Sequence, residues 1–239
     1  MSQFPYARNK VIDYGTDDKV TFNFFNAVYS WMAVGLALTA VVAYATAHSP
    51  AMIKLVYGGP MFAVVCALGM MGIAMGVQSA ALRISAAAGT ALFLVYAGLM
   101  GMLLSYVFII YQMPIIAGAF LITAGVFGGM SIYGFVTKRD LTSMGSMLVM
   151  AFWGIFLASI VNLFIANNFL SWVVTYGVLF VVMGLTAYHT QNLKAIADQT
   201  RGQPKLAARY AIIGSLILYI SFINLFKSIL RIFGNANRR

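Results

Sequence analysis

The sequence has no glutamate, five aspartates, two histidines and one cysteine in 239 residues. Charged residues make up 8% of the chain and hydrophobic ones 62%. A soluble domain carries about 25% charged residues, and so little polar surface cannot cover a core of this size. A soluble protein is excluded, and a multi-span membrane protein is the class that remains. The lone Cys66 lies inside an apolar run, so no disulfide or zinc framework is available within one chain. Asp13, Asp17, Asp18, Asp140 and Asp198 all fall outside the apolar runs. A proton-coupled transporter, which needs an acid in the membrane, is therefore disfavoured. No HExxH, phosphate loop or GxSxG occurs, so neither an enzyme nor a cofactor site is expected. The net charge of +10 does not point to nucleic acid, because the basic residues cluster between apolar runs, where they set topology and meet lipid headgroups.

What is present is oil in long continuous runs. A spanning helix needs roughly 20 apolar residues, and seven runs qualify: 25–47, 56–78, 84–109, 113–136, 143–166, 170–190 and 208–233. Alternating barrel strands would look different, so the fold is expected to be all-α with seven transmembrane helices. Three regions follow: a polar N-terminal segment 1–24, a membrane domain 25–233 and a short basic tail 234–239. Ala45-Thr46-Ala47 resembles a cleavage site, but the run before it is long enough to span and is read as a retained first helix.

Ten of the fifteen basic residues fall in segments on the side of the N-terminus, which favours a cytoplasmic N-terminus. Seven crossings then place Lys227, Arg231, Arg238 and Arg239 opposite, so the last helix is expected to cross despite its basic end. Gly72/Gly76 and Gly125/Gly129 form GxxxG pairs, expected to mark close helix contacts. Polar residues near or within the runs are the candidates for function: Arg83, Asn162, Asn224, Lys227, and His189 with its neighbours Tyr188 and Gln191. Each also has a structural reading, as a headgroup anchor or an interhelical bond.

Four stretches carry a family resemblance. Gly184-Leu185-Thr186-Ala187-Tyr188-His189-Thr190-Gln191 resembles the G-L-T-A-Y-D-T-Q end of the sixth helix in the transmembrane Bax inhibitor motif family (Bax inhibitor-1-like). Leu218 to Phe226, LYISFINLF, resembles its L-Y-L-D-F-I-N-L-F in the seventh. Tyr133 to Leu141, YGFVTKRDL, and Tyr96 to Gly101, YAGLMG, are similar to its fourth loop and third helix. The resemblance covers the chain after about residue 20, and bacterial members look closest. It implies six helices packed around a central seventh, a place in a bacterial inner membrane, and a pH-sensitive calcium leak. In that leak two motif aspartates share protons near the cytoplasmic mouth, paired with a basic residue at the place Arg83 occupies.

Both motif aspartates are replaced, by His189 and Ser221. Two close carboxylates bind one proton at mild pH and together form a hard oxygen site for calcium. A histidine brings nitrogen without negative charge, and a serine brings one neutral oxygen. Lys227, where the family more often has an apolar residue, adds a cation beyond Ser221. Calcium conduction is thus expected to be weakened or lost. A free histidine titrates near ~6.5, so any retained pH response has inverted sign: acid adds positive charge. His189, Ser221 and Arg83 are the gate candidates; Asn224, Asn162, Lys227, Tyr188 and Gln191 are pathway or packing candidates. The lipid bilayer is the certain partner class, with calcium or another cation as the implied cargo. The alternative is a non-conducting regulator that binds other membrane proteins, such as a membrane protease.

Overall fold

A computed structural model describes residues 14–79 and 85–236. Among the described residues all regular structure is helical: α1 (Tyr14–Ala47), α2 (Pro50–Tyr57), α3 (Pro60–Ser79), α4 (Ala86–Leu104), α5 (Tyr106–Ile110), α6 (Met113–Val136), α7 (Thr142–Ile165), α8 (Asn168–Gln199) and α9 (Pro204–Ala236). In lipid the backbone must satisfy its own polar groups, and helices do so within one segment. Pro50, Pro60, Pro114 and Pro204 each sit at the first or second position of a helix, where the missing N–H costs no bond.

Six helices or near-continuous pairs are long and apolar enough to cross a membrane, and seven if the bent pair α2 and α3 is one span. That pair departs from the expected single run 56–78. The chain turns by 78° at Gly58-Gly59-Pro60, because Pro60 cannot donate and Gly58 already caps α2 onto the Lys54 carbonyl at 2.8 Å. The expected run 84–109 is also interrupted, at Ser105. The Tyr57 hydroxyl fills that break, meeting the Leu103 carbonyl at 3.3 Å, Ser105 Oγ at 3.0 Å and the Tyr106 N–H at 2.9 Å. Two further boundaries move. Residues 14–24, assigned to the polar N-terminal segment, are the first turns of α1, and α8 continues nine residues past the apolar run ending at 190.

The central helix expected from the resemblance is α9. It is the most buried span and touches α1, α3, α4, α6 and α8. It runs unbroken for 33 residues, about 50 Å at 1.5 Å per residue, long and apolar enough to cross a membrane in one piece. Tyr219 ties it to two neighbours: its hydroxyl lies 2.6 Å from Thr39 Oγ1, which also donates to the Ala97 carbonyl at 3.0 Å. The rings of Phe93 and Tyr96 pack edge-on against Tyr219. The least buried span, α7, packs on α8 instead.

The GxxxG expectation fails inside the chain. A Cβ added at Gly72, Gly76, Gly125 or Gly129 meets nothing within 4 Å. The close approaches are at other glycines. Gly134 of α6 lies against the Ala187 backbone of α8, Gly101 of α4 against the Thr39 carbonyl of α1, and Gly145 of α7 against the Tyr188 ring. Glycine spacing reports a stripe, but not which way that stripe faces.

Candidate functional site

The two long helices α8 and α9 are antiparallel, joined by a turn at 200–203 in which Gly202 takes φ 76°. Gly214 of α9 sits against Leu193 of α8 (2.6 Å to Cδ2 from an added Cβ). Residues one turn away on these helices share the same faces. His189 is four residues before Leu193, and Ser221 seven after Gly214, so both lie on the seam between α8 and α9. Counting back from the turn, Ser221 is level with about Val182, which offsets it from His189 by about 10 Å, or two turns. Beyond Ser221 the same stripe continues through Asn224 and Ser228.

His189 is half-buried, with its ring centroid 5.4 Å from that of Tyr188. Ser221 is buried and donates to the Ile217 carbonyl of its own helix at 3.1 Å. Arg83 lies outside the described residues, so its place beside these two is not given by the structure.

The other candidates divide. Gln191 is a brace: its Oε1 accepts from the Leu141 N–H at 2.8 Å and its Nε2 donates to the Arg139 carbonyl at 2.7 Å. Beside it, Lys194 Nζ donates to the Phe135 carbonyl at 3.0 Å and sits over the Phe135 ring. The loop 137–141 is thereby tied to α8. At its exposed tip, hydrogen bonds from Thr142 hold the Asp140 carboxyl below the usual range. Two amide bonds of roughly 1 kcal/mol each lead to a local expectation: Gln191→Ala raises hydrogen exchange of the Leu141 amide about tenfold. Unchanged exchange there refutes the bracing role.

Tyr188 is a packing residue, seated on Gly145. Asn162 is structural as well. It donates to Ser171 Oγ at 2.7 Å and accepts from the Asn167 N–H at 3.0 Å, closing the turn from α7 to α8 around Ala166 at φ 51°. Holding an alanine in the left-handed region is costly, and these two bonds offset that cost.

Asn224 and Lys227 have a different setting. They line a cavity of about 490 Å³ where α7 stands off from α9. Arg231, Ser228, Thr175, Ser159, Tyr106 and Tyr111 belong to its polar wall, and Phe152, Ile155 and Val178 to its apolar one. Val178 precedes His189 by 11 residues, about 17 Å along α8, so the cavity belongs to the opposite half of the bundle. The sequence marks Asn224 and Lys227 as pathway or packing candidates, and Arg231 only as part of the basic end of the last helix. The signal for a shared site was their spacing: 221, 224, 228 and 231 recur at three or four residues, one polar face on an otherwise oily helix.

No group of three or more His, Cys, Asp or Glu able to hold a metal occurs among the described residues. The seam therefore presents a histidine and a serine at one end and two cations at the other.

A family profile described as "Inhibitor of apoptosis-promoting Bax1" matches residues 21–238. The inner membrane protein YbhL of Escherichia coli K12 is 45% identical over 210 residues, covering 87% of this chain and 89% of that protein. An uncharacterized protein of Borreliella burgdorferi is 38% identical over 211 residues, covering 88% and 91%. An uncharacterized membrane protein of Streptococcus pyogenes serotype M3 is 34% identical over 228 residues, covering 95% and 98%.

Proposed function

The chain belongs to the Bax inhibitor family, and on that premise we propose that it is an ion-homeostasis protein of a bacterial inner membrane whose pathway no longer conducts calcium. The N-terminus is cytoplasmic in this reading, and His189 is the element that responds to pH. One observation carries the proposal. The seam between α8 and α9 offers His189 and an internally bonded Ser221 where two aspartates would stand, and its stripe ends at Lys227 and Arg231. A calcium ion on this path meets no carboxylate and then two positive charges. At an effective dielectric of ~20, one unit charge at ~4 Å is worth about 4 kcal/mol, or about a thousandfold in occupancy. Proteoliposomes carrying the native protein are therefore expected to release calcium no faster than protein-free liposomes, at pH 6 and at pH 8. Calcium release by the native protein at either pH overturns this reading.

A second reading is favoured by α7. This least buried span is held by α8 and directs Met147, Met150 and Trp153 outward. In a non-conducting regulator that face meets a transmembrane partner, a membrane protease being one class. Crosslinks from position 150 to one defined protein support it, and crosslinks to lipid alone count against it.

A further inference from the structure

The cavity between α7 and α9 lies at the end of the seam's polar stripe, and its charge has one sign. Lys227 is half-buried in it and Arg231 stands exposed at its edge. No aspartate lines it, and the chain has no glutamate. The described acids are elsewhere: Asp17 and Asp18 are in the first turns of α1, whose Thr21 donates to Asp198. Asp198 lies 20 residues beyond Val178 on α8, about 30 Å away, and Asp140 lies in the loop tied to that same end by Gln191. A smaller adjoining cavity of about 100 Å³ shares Thr175 and Arg231, and it extends to Asn168 and Ser171 in the first turn of α8. A helix start carries a partial positive charge. It is the third positive source around one space, and neither cavity has a negative group on its wall.

Burying a cation without a counter-charge is costly. Lys227 forms no ion pair with any described residue. The remaining polar wall is neutral: Ser228, Asn224 and Tyr106 are able to donate, whereas Thr175 and Ser159 already donate to the Ser171 and Ile155 carbonyls of their own helices. A forked guanidinium beside a point-charge ammonium and hydroxyl donors suits a phosphate group. The volume exceeds what one phosphate fills, and the wall opposite the cations is apolar, from Phe152, Ile155 and Val178.

We propose that this chamber binds a phosphate-bearing anion, held between Lys227 and Arg231, either the headgroup of an anionic lipid or a free phosphate. This does not depend on whether the protein conducts any ion.

The test uses the full chain, delipidated in an uncharged detergent and titrated with dihexanoyl-phosphatidylglycerol or with inorganic phosphate, read by native mass spectrometry and by the shift in melting midpoint. Binding of one lipid per chain, with competition by inorganic phosphate, assigns the site to the phosphate group itself. Lipid binding without such competition assigns it to a headgroup anchored by its chains. In both cases Arg231→Gln, a change at an exposed residue, is expected to weaken binding about tenfold, as loss of a charge-assisted bond does. Lys227→Met with Arg231→Gln is expected to abolish it. Lys54→Gln, an exposed cation outside the chamber, is expected to leave it unchanged. If neither probe binds, or if folded Arg231→Gln binds as tightly as the native chain, the proposal is wrong.

Discussion

Proteoliposomes carrying a His189→Asp/Ser221→Asp double variant are expected to release calcium at pH 8 at least ten times faster than those carrying the native protein. The two positions lie on the facing stripes of α8 and α9 with an axial offset of about 10 Å. Side chains on a helix tilt toward that helix's own N-terminus. Since α8 and α9 are antiparallel, residues 189 and 221 tilt toward each other, which shortens the gap that the Cα positions leave. Two carboxylates there supply hard oxygen donors and up to two negative charges. Tenfold needs about 1.4 kcal/mol, a third of the ~4 kcal/mol that one charge at ~4 Å is worth at a dielectric of ~20. The variant is also expected to slow between pH 8 and pH 6, because a carboxylate pair takes up a proton in that range and loses charge. A variant that elutes and melts like the native protein but releases calcium no faster would show that the seam is not a conduit.

Gly134→Ala is expected to be the most damaging single-methyl change, lowering stability by roughly 3 kcal/mol, at the upper end of the usual cost of overpacking. An added Cβ at 134 runs into the Ala187 carbonyl oxygen and Cα, so the obstacle is backbone and cannot swing aside. Relief requires α6 and α8 to separate, and that strains the bonds from Gln191 to Arg139 and Leu141 just beyond the contact. Gly128→Ala, on the same helix with nothing within 4 Å, is expected to melt within a degree or two of the native protein. The measurement is the midpoint of thermal unfolding in detergent by fluorescence-detected size exclusion. Equal midpoints for the two variants would refute the close approach.

The sequence's oil located six of the seven runs with small errors, because span length is set by bilayer thickness and the signal is summed over about 20 residues. The second run, 56–78, coincides with α3 except at its start, where the cue to the bend was present. Gly58-Gly59-Pro60 is a helix stop and start, but hydropathy averages across it. The extension of α8 to Gln199 was invisible for the opposite reason: hydropathy detects oil, and the last nine residues are a helix leaving the oil. The motif stretches were legible as a resemblance, and the structure explains much of their content as packing. Ala97 accepts from Thr39, Tyr96 and Tyr219 meet edge-on, Gly134 meets Ala187, and Gln191 ties the loop. The seam could be guessed from the polar stripe on α9. The chamber could not, since it exists because α7 stands off from α9, and no local feature of either helix encodes a gap between them.

The position of α9 in the chain bears on how the molecule is made. The helix at the hub is the one that leaves the ribosome after every helix it touches. Until it arrives, α1 and α4 lack the tyrosine that meets Thr39, and α6 and α8 have no central surface to close upon. Synthesis from the N-terminus thus yields a set of inserted but unsettled helices, waiting in the bilayer for a final core. With the N-terminus cytoplasmic, as proposed above, Lys227 and Arg231 are carried through the hydrocarbon to the far side, which lengthens the delay. Assembly of this bundle is then a late, single event controlled by the translocation of one helix, and folding intermediates that lack α9 are the species a quality-control protease would meet.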